Sequence, residues 1–257
     1  MKKLLKILGI LAGIAVLAVA SLAAAVWLAF AGTASITDGF EPVPGVRTIK
    51  EKFTSCYVVD SRPGKVVLVD AGMDKSAGPI LKELARRGLK ATSVEAILLT
   101  HGHSDHTGGA LAFPQAMICA LEADVALAEG KAGSPSPMGC LAGAKPTGIK
   151  VGKVLHDGQT LKIGNLVVKV FSVPGHTRGS AAYLARGVLF MGDSADSLKK
   201  GGMMGAKWLF SESQKLNHEA LKTLAARLKK AGVKAMVFAH SGALSGIKAL
   251  EDFAASH

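Results

Sequence analysis

Cysteine is scarce in this chain. Its three residues, Cys56, Cys119 and Cys140, form no CxxC pair, which argues against a structural zinc knuckle. An oxidising compartment would permit one disulfide and leave one thiol over, and Cys56, inside the apolar stretch FTSCYVVD, reads as a buried, inert thiol. Aromatic residues are also few, 5% of the chain, and no block of Lys and Arg is interleaved with them, so nucleic acid is not expected as a partner. Acidic side chains are the minority, 19 against 31 basic ones, for a net charge of +12. A basic surface of this kind suits anionic lipid headgroups or acidic substrates, and equally an ordinary solvated surface.

Apolar sequence is plentiful, and it is concentrated at the start. After MKKLLK, the 25 positions from Ile7 to Ala31 carry no charge. At about 1.5 Å per residue they can cross a hydrocarbon core of roughly 30 Å with some tilt. Lys2, Lys3 and Lys6 precede the run, so by the positive-inside rule the remainder of the chain lies on the non-cytoplasmic side. Ala29-Phe30-Ala31 has the form of a signal-peptidase site, and secretion after cleavage is the alternative. The run is longer than the usual apolar core of a signal peptide, which favours an uncleaved single-pass anchor. No cysteine follows closely enough to suggest lipidation. The expected organisation is therefore an anchor over 1–31, a linker rich in Gly and Pro over 32–48, and a catalytic domain over 49–257.

Within that domain, FTSCYVVD (53–60) and KVVLVD (65–70) flank Ser61-Arg62-Pro63-Gly64, a hairpin signal. PILKELARR (79–87), closed by Gly88, has helical periodicity. SVEAILLT (93–100) and AMICA (116–120) read as strands and LEADVALAE (121–129) as a helix. Residues 130–148 form a long Gly/Pro/Ser-rich loop. LVVKVFSV (166–173), AAYLA (181–185) and GVLFMGD (187–193) look like successive strands. LNHEALKTLAARLKK (216–230) is an amphipathic helix, KAMVFAH (234–240) a strand, and 246–255 a closing helix. Strands alternating with helices predict a mixed α/β domain covered by helices on more than one face.

The chemistry is concentrated in THGHSDHTGG (100–109). Three histidines and an aspartate fall within six positions, His101 to His106, where an apolar strand ends. Four such donors have no place in a plain apolar core, because their desolvation needs a cation to offset it. Imidazole with carboxylate suits Zn²⁺, Fe²⁺ or Mn²⁺ better than Ca²⁺. More donors stand where other apolar runs stop abruptly: His176 in SVPGHTRGS, Asp193 in LFMGDS and His240 in MVFAHSG.

With Asp70 in VLVDAG, these motifs resemble, in order, those of the metallo-β-lactamase fold superfamily over almost all of 45–257. The resemblance implies a four-layer αββα sandwich of two pseudo-symmetric halves, preceded here by the transmembrane helix. VVLVDAG and VLFMGDS, two apolar strands that each end in an Asp, fit such halves. It also implies two metal ions, zinc first, with Fe or Mn as possibilities. His101, His103 and His176 would hold one ion and Asp105, His106 and His240 the other. Asp193 would bridge the two, and Asp70 would orient a ligand histidine. Asp105 is the expected proton acceptor for the nucleophile.

Those residues narrow the reaction unevenly. Asp193 at the bridging place matches the glyoxalase II, lactonase and nuclease branches, whereas true metallo-β-lactamases carry Cys or Ser there. His103 is unlike the flavodiiron branch, and the chain ends soon after His240, without the helical domain with which glyoxalase II enzymes bind glutathione. The expected function is hydrolysis of a small ester, thioester or lactone. A mononuclear iron oxidoreductase of the persulfide dioxygenase type, a β-lactamase or phosphodiesterase, and a binding module without turnover are the alternatives. Substrate contacts are expected from 130–148 and from 197–213, where Lys199, Lys200 and Trp208, beside exposed-looking Met203 and Met204, read either as a mobile lid or as an ordinary surface loop with Trp208 packed on the domain edge.

Overall fold

A computed structural model of the protein describes residues 2–141 and 143–256. The chain divides into two compact units, Met1–Gly32 and Thr33–His257. The first is a single helix, α1 (Lys2–Phe30), 29 residues long, with its apolar window wholly exposed. Leucine, isoleucine, valine and alanine surround it on all sides, and it is long and apolar enough to cross a membrane.

The second unit begins with strands β1 (Val46–Glu51), β2 (Thr54–Arg62) and β3 (Lys65–Val69), then helix α2 (Gly78–Arg86) and strand β4 (Val94–Leu98). A one-turn helix α3 (Ser104–Thr107), strand β5 (Met117–Leu121), a second one-turn helix α4 (Val125–Ala128) and strand β6 (Lys153–Leu155) follow. The second half is β7 (Thr160–Ile163), β8 (Leu166–Ser172), β9 (Ala181–Ala185), β10 (Val188–Phe190) and a two-stranded ribbon, β11 (Ala195–Ser197) with β12 (Met203–Gly205). It closes with α5 (Gln214–Leu228), β13 (Ala235–Val237), β14 (Leu244–Ser245) and α6 (Lys248–Ser256).

Two six-stranded sheets result, ordered β1-β2-β3-β4-β5-β6 and β14-β13-β10-β9-β8-β7. Their halves repeat one pattern: β2 and β3 form an antiparallel pair with β4 parallel beside β3, and β9 and β10 form one with β13 parallel beside β10. Strand alternation explains the layers, because successive side chains leave opposite faces of a sheet. Tyr57, Val59, Val67 and Val69 point inward to meet Val168, Val170, Tyr183 and Phe190 of the facing sheet. Their neighbours Cys56, Val58, Val66 and Leu68 point outward, under Ile80 and Leu84 of α2. On the far side Ala182, Leu184 and Leu189 pack with Leu221, Leu224 and Leu228 of α5 and with Leu250 and Phe253 of α6. Helix, sheet, sheet and helix are thus stacked, the αββα sandwich.

Some local expectations change. From Thr33 on, the stretch expected to be a linker belongs to the folded unit. Thr33 bridges Leu198, the Ala34 amide donates to Ser197 O at 2.9 Å, and β1 starts at Val46. Backbone pairing there overrides a loop-like composition. The helix expected over 121–129 is a tight turn at Glu122–Asp124 followed by the single turn α4, because the Asp124 carboxylate is engaged by amides of other loops. Strands β1, β6, β7, β11, β12 and β14 were not legible; most have two to four residues and show little periodicity. All three cysteines are free. Cys56 and Cys119 are buried on opposite faces of their sheet, and Cys140 is exposed.

Tyr183 joins this packing to the site. Its side chain is fully buried between the sheets, and its hydroxyl donates to Leu99 O at 2.6 Å, just before Thr100 and His101. Tyr183→Phe should destabilise the domain by about 1–2 kcal/mol. The urea midpoint should fall with an unchanged slope, and an unaltered midpoint would show that the bond contributes nothing.

Candidate metal centre

Five of the seven donors, with Asp70, stand just beyond the C-terminal end of a strand, where apolar packing stops and a loop can turn a polar side chain inward. Asp70 follows β3, His101 and His103 follow β4, His176 follows β8, Asp193 follows β10 and His240 follows β13. After β4 the chain enters α3, which carries Asp105 and His106. Gly108 and Gly109 then let the backbone pass against Ala71 and Met73. A Cβ at Gly108 would lie 2.6 Å from Met73 O, and one at Gly109 2.5 Å from Ala71 O.

Seven side chains meet in two adjoining groups. His101 Nε2, His103 Nδ1 and His176 Nε2 form a triangle with sides of 3.0, 3.0 and 3.1 Å. In the other group, His240 Nε2 lies 3.4 Å from Asp105 Oδ2 and His106 Nε2 3.7 Å from the same oxygen. Asp193 stands between the groups. It is 3.2 Å from His106 Nε2, 3.0 Å from His240 Nε2 and 3.6 Å from His176 Nε2.

The outward-facing nitrogens show what the inward ones must be. His106 Nδ1 is 2.8 Å from Asp70 Oδ2, an oxygen that can only accept. Asp70 also accepts from the Thr100 amide and hydroxyl, both at 2.7 Å, and takes a left-handed backbone (φ 60°) to do so. Since the Thr100 hydroxyl donates to Asp70, it accepts from His101 Nδ1 at 3.2 Å. Ser211 Oγ donates to Lys207 O and so accepts from His176 Nδ1 at 3.2 Å. His240 Nδ1 donates to Phe53 O at 2.9 Å, with the Phe53 ring stacked alongside at 5.7 Å between centroids. In four rings the outer nitrogen carries the proton, so in each neutral ring the inner one presents a lone pair. His106 Nε2 and Asp193 Oδ1 are buried and face each other without hydrogen-bond geometry. Lone pairs and carboxylates converging in this way fit a divalent cation in each group, and three donor sets of the cluster meet within 4.8 Å.

Charge divides the two groups. Burial, then repulsion from its neighbours, holds His101 well below the ordinary imidazole range, and burial holds His176 down to about 3 despite Asp193. Burial also disfavours the cation at His240, yet Asp193 and Asp105 push it up to about 10. Against its own burial, Asp105 is held down to about 2 by His106 and His240. Without a metal, protons occupy the acid-rich group and the three-histidine triangle stays neutral.

The expected lid differs in substance. Lys199 and Lys200 form the exposed turn of the β11–β12 ribbon, and Trp208 lies on the surface of a tight turn, 56% exposed. None of the three takes part in the hydrogen bonds and ion pairs that link the seven donors and their outer partners. Met203, expected to be exposed, is buried among α5 and α6 side chains, because β12 packs on those helices. Lys207 is buried in an ion pair with Asp196, which ties this segment down. Sequence reasoning missed Thr100, Asp124 and Ser211. Thr100, adjacent to His101, was the one with a positional signal.

The metallo-beta-lactamase superfamily profile matches residues 49–226. A hydroxyacylglutathione hydrolase of Aeromonas salmonicida is 34% identical over 179 residues, 68% of this chain and 58% of that protein. The chain therefore spans little more than half the length of such relatives. A β-lactamase from Chitinophaga pinensis shares the fold with a TM-score of 0.62 at 25% identity, covering 80% of this chain and 79% of its own. A metallo-beta-lactamase family protein from Thermus thermophilus does so with a TM-score of 0.61 at 23% identity, over 84% of this chain and 80% of its own.

The charge division predicts how the metal-free domain responds to pH. His176 titrates near 3 when folded, against about 6.5 unfolded, so between those values the unfolded chain binds the extra proton and stability falls as pH drops. His240 acts in the opposite sense. Its contribution is whole below about 6.5 and is lost as pH rises toward 10. Calorimetry in the presence of chelator should find the highest melting temperature near about pH 6.5, declining on both sides. A midpoint climbing steadily through neutrality to alkaline pH would contradict this partition.

Proposed function

The chain belongs to the metallo-beta-lactamase superfamily, and from that membership and the paired donor groups we propose a metal-dependent hydrolase that cleaves a small ester, thioester or lactone. His101, His103 and His176 would hold one ion and Asp105, His106 and His240 a second, with Asp193 reaching both; zinc is the first choice for each. When bound, such a pair supplies a hydroxide nucleophile at neutral pH and Lewis acidity toward the scissile carbonyl.

The chain's own groups do the rest. Asp70, Thr100, Ser211 and Phe53 O hold four imidazoles by their outer nitrogens, so each ring faces inward in one tautomer. Asp105, ionised at neutral pH, is more exposed than any other member of its group (its side chain is 23% accessible), and it is the acceptor for the proton the attacking water gives up. Asp193 keeps its negative charge between the groups because His240 and His106 outweigh the cost of its burial.

The observation that carries this reading is the number and division of the donors. Seven converge in three overlapping sets joined through His101 and His106, where one ion with an open position needs three. A mononuclear iron oxidoreductase would leave His106, His240 and Asp105 without employment. Asp193, rather than Cys or Ser, speaks against hydrolysis of β-lactams. The relatives' name supports a thioester carbonyl as electrophile; glutathione is not carried over with it, since the match spans 58% of the relative's length. We assign the activity to the unit from Thr33 onward and read α1 as a membrane anchor with a cytoplasmic N-terminus.

Purified protein should contain two zinc ions per chain and turn over members of a panel of lactones, thioesters and esters. His103→Ala should lower kcat/KM by roughly a hundredfold or more, since removing a ligand costs at least as much as removing its outer partner. One iron per chain with oxygen consumption would overturn the proposal. For the anchor, cell fractionation should leave the full-length chain in membranes, and recovery of a shortened soluble form would replace the anchor with a cleaved signal.

A further inference from the structure

Asp124 has no role in the proposed hydrolysis, although the role inferred for it rests on the two-metal reading of the site. Its side chain is buried at the turn between β5 and α4, and it belongs to neither ligand-bearing loop. Yet it holds both. Asp124 Oδ2 accepts from the Gly102 amide at 2.7 Å, between His101 and His103, and from the Thr177 hydroxyl at 2.9 Å, next to His176. Asp124 Oδ1 accepts from the Gly179 amide at 2.9 Å. The loops also crowd onto this turn. A Cβ at Gly179 would lie 2.4 Å from Asp124 N, and one at Gly102 2.5 Å from Ala128 N, so each loop needs a glycine to come within reach.

We propose that Asp124 is a positioning residue that clamps the His101–His103 loop to the His176 loop, setting the three-histidine triangle in place for one cation, while it bonds to none of the side chains of the other group. The carboxylate is specific to this task. It offers two acceptor-only oxygens to three donors, whereas an asparagine of the same shape offers one oxygen and turns an NH₂ toward an amide or hydroxyl that also donates. Without the clamp, the triangle's sides of 3.0 to 3.1 Å are no longer enforced across two loops that are distant in sequence.

The test is Zn²⁺ titrated into metal-free protein against a chromophoric chelator. Wild type should bind two ions. Asp124→Asn should weaken one step by about ten- to a hundredfold, the usual cost of losing an outer partner, and leave the second as it was. In a His240→Ala background, which disables the acid-rich group, a single step should remain and Asp124→Asn should weaken it by the same factor. Thr177→Val, which removes one of the three donors, should give a smaller loss, and Thr177→Ser should restore the affinity. Equal weakening of both steps, with a lowered melting temperature in the metal-free state, would make Asp124 merely structural and overturn the proposal. So would wild-type affinities in Asp124→Asn. A wild type that takes up no Zn²⁺ would instead sink the metal reading, and the clamp with it.

Discussion

Lone pairs forced to face one another are the constraint on which this domain depends. Four imidazoles have their outer nitrogens engaged by acceptors, so their inner nitrogens, with His103 Nδ1, converge on two carboxylates in a space largely closed to water. Such an arrangement repels itself unless positive charge fills it. Holding it open takes a scaffold that does not yield. Two sheets packed on both faces, with Tyr183 and Tyr57 bonded across the interior to Leu99 O and Phe238 O, provide one. Those two carbonyls lie just before His101 and His240, so two buried polar bonds of the core support strand ends that carry ligands.

The two halves of the centre are chemically unequal although the halves of the fold repeat. One group has three imidazoles kept neutral by burial and mutual repulsion; the other has two imidazoles among Asp70, Asp105 and Asp193. On the proposed reading, a divalent ion would meet three imidazoles and Asp193 in the first and would displace protons in the second. Asp193 belongs to both and ties their charge states together. This inequality suits a site that must bind an electrophile on one side and manage a proton on the other.

Much of this was legible in the sequence because strand-end donors announce themselves. Apolar runs ending abruptly at Asp70, His101, Asp193 and His240 are unusual for ordinary turns, and HGHSDH concentrates four donors where no core could accept them. The supporting groups other than Asp70 were not legible. Asp124 sits in LEADVALAE, where it reads as one more polar position on a helix. Ser211 lies among other polar residues. Asp196 and Lys207 give no hint that they form a buried pair. Each acts through a partner distant in sequence, and a single chain read in order records no such distance. At 197–213 the paired lysines, glycines and methionines left a mobile lid and an ordinary surface loop equally open. Ribbon pairing of β11 with β12, burial of Met203 and the Asp196–Lys207 bond instead make that segment part of the fold.

By itself the sequence determined the class of chemistry, the alternation that buries both faces of each sheet, and the apolar N-terminal run, since these are local properties of composition and period. Only the tertiary structure decided which nitrogen of each ring faces inward, which groups hold the rings from outside, and that residues 33–48 are folded rather than a tether. The physical reason is the same in every case. Tautomer, division and docking are set by distances of about 3 Å between groups on different strand ends, and those distances exist only once the two sheets have closed on each other.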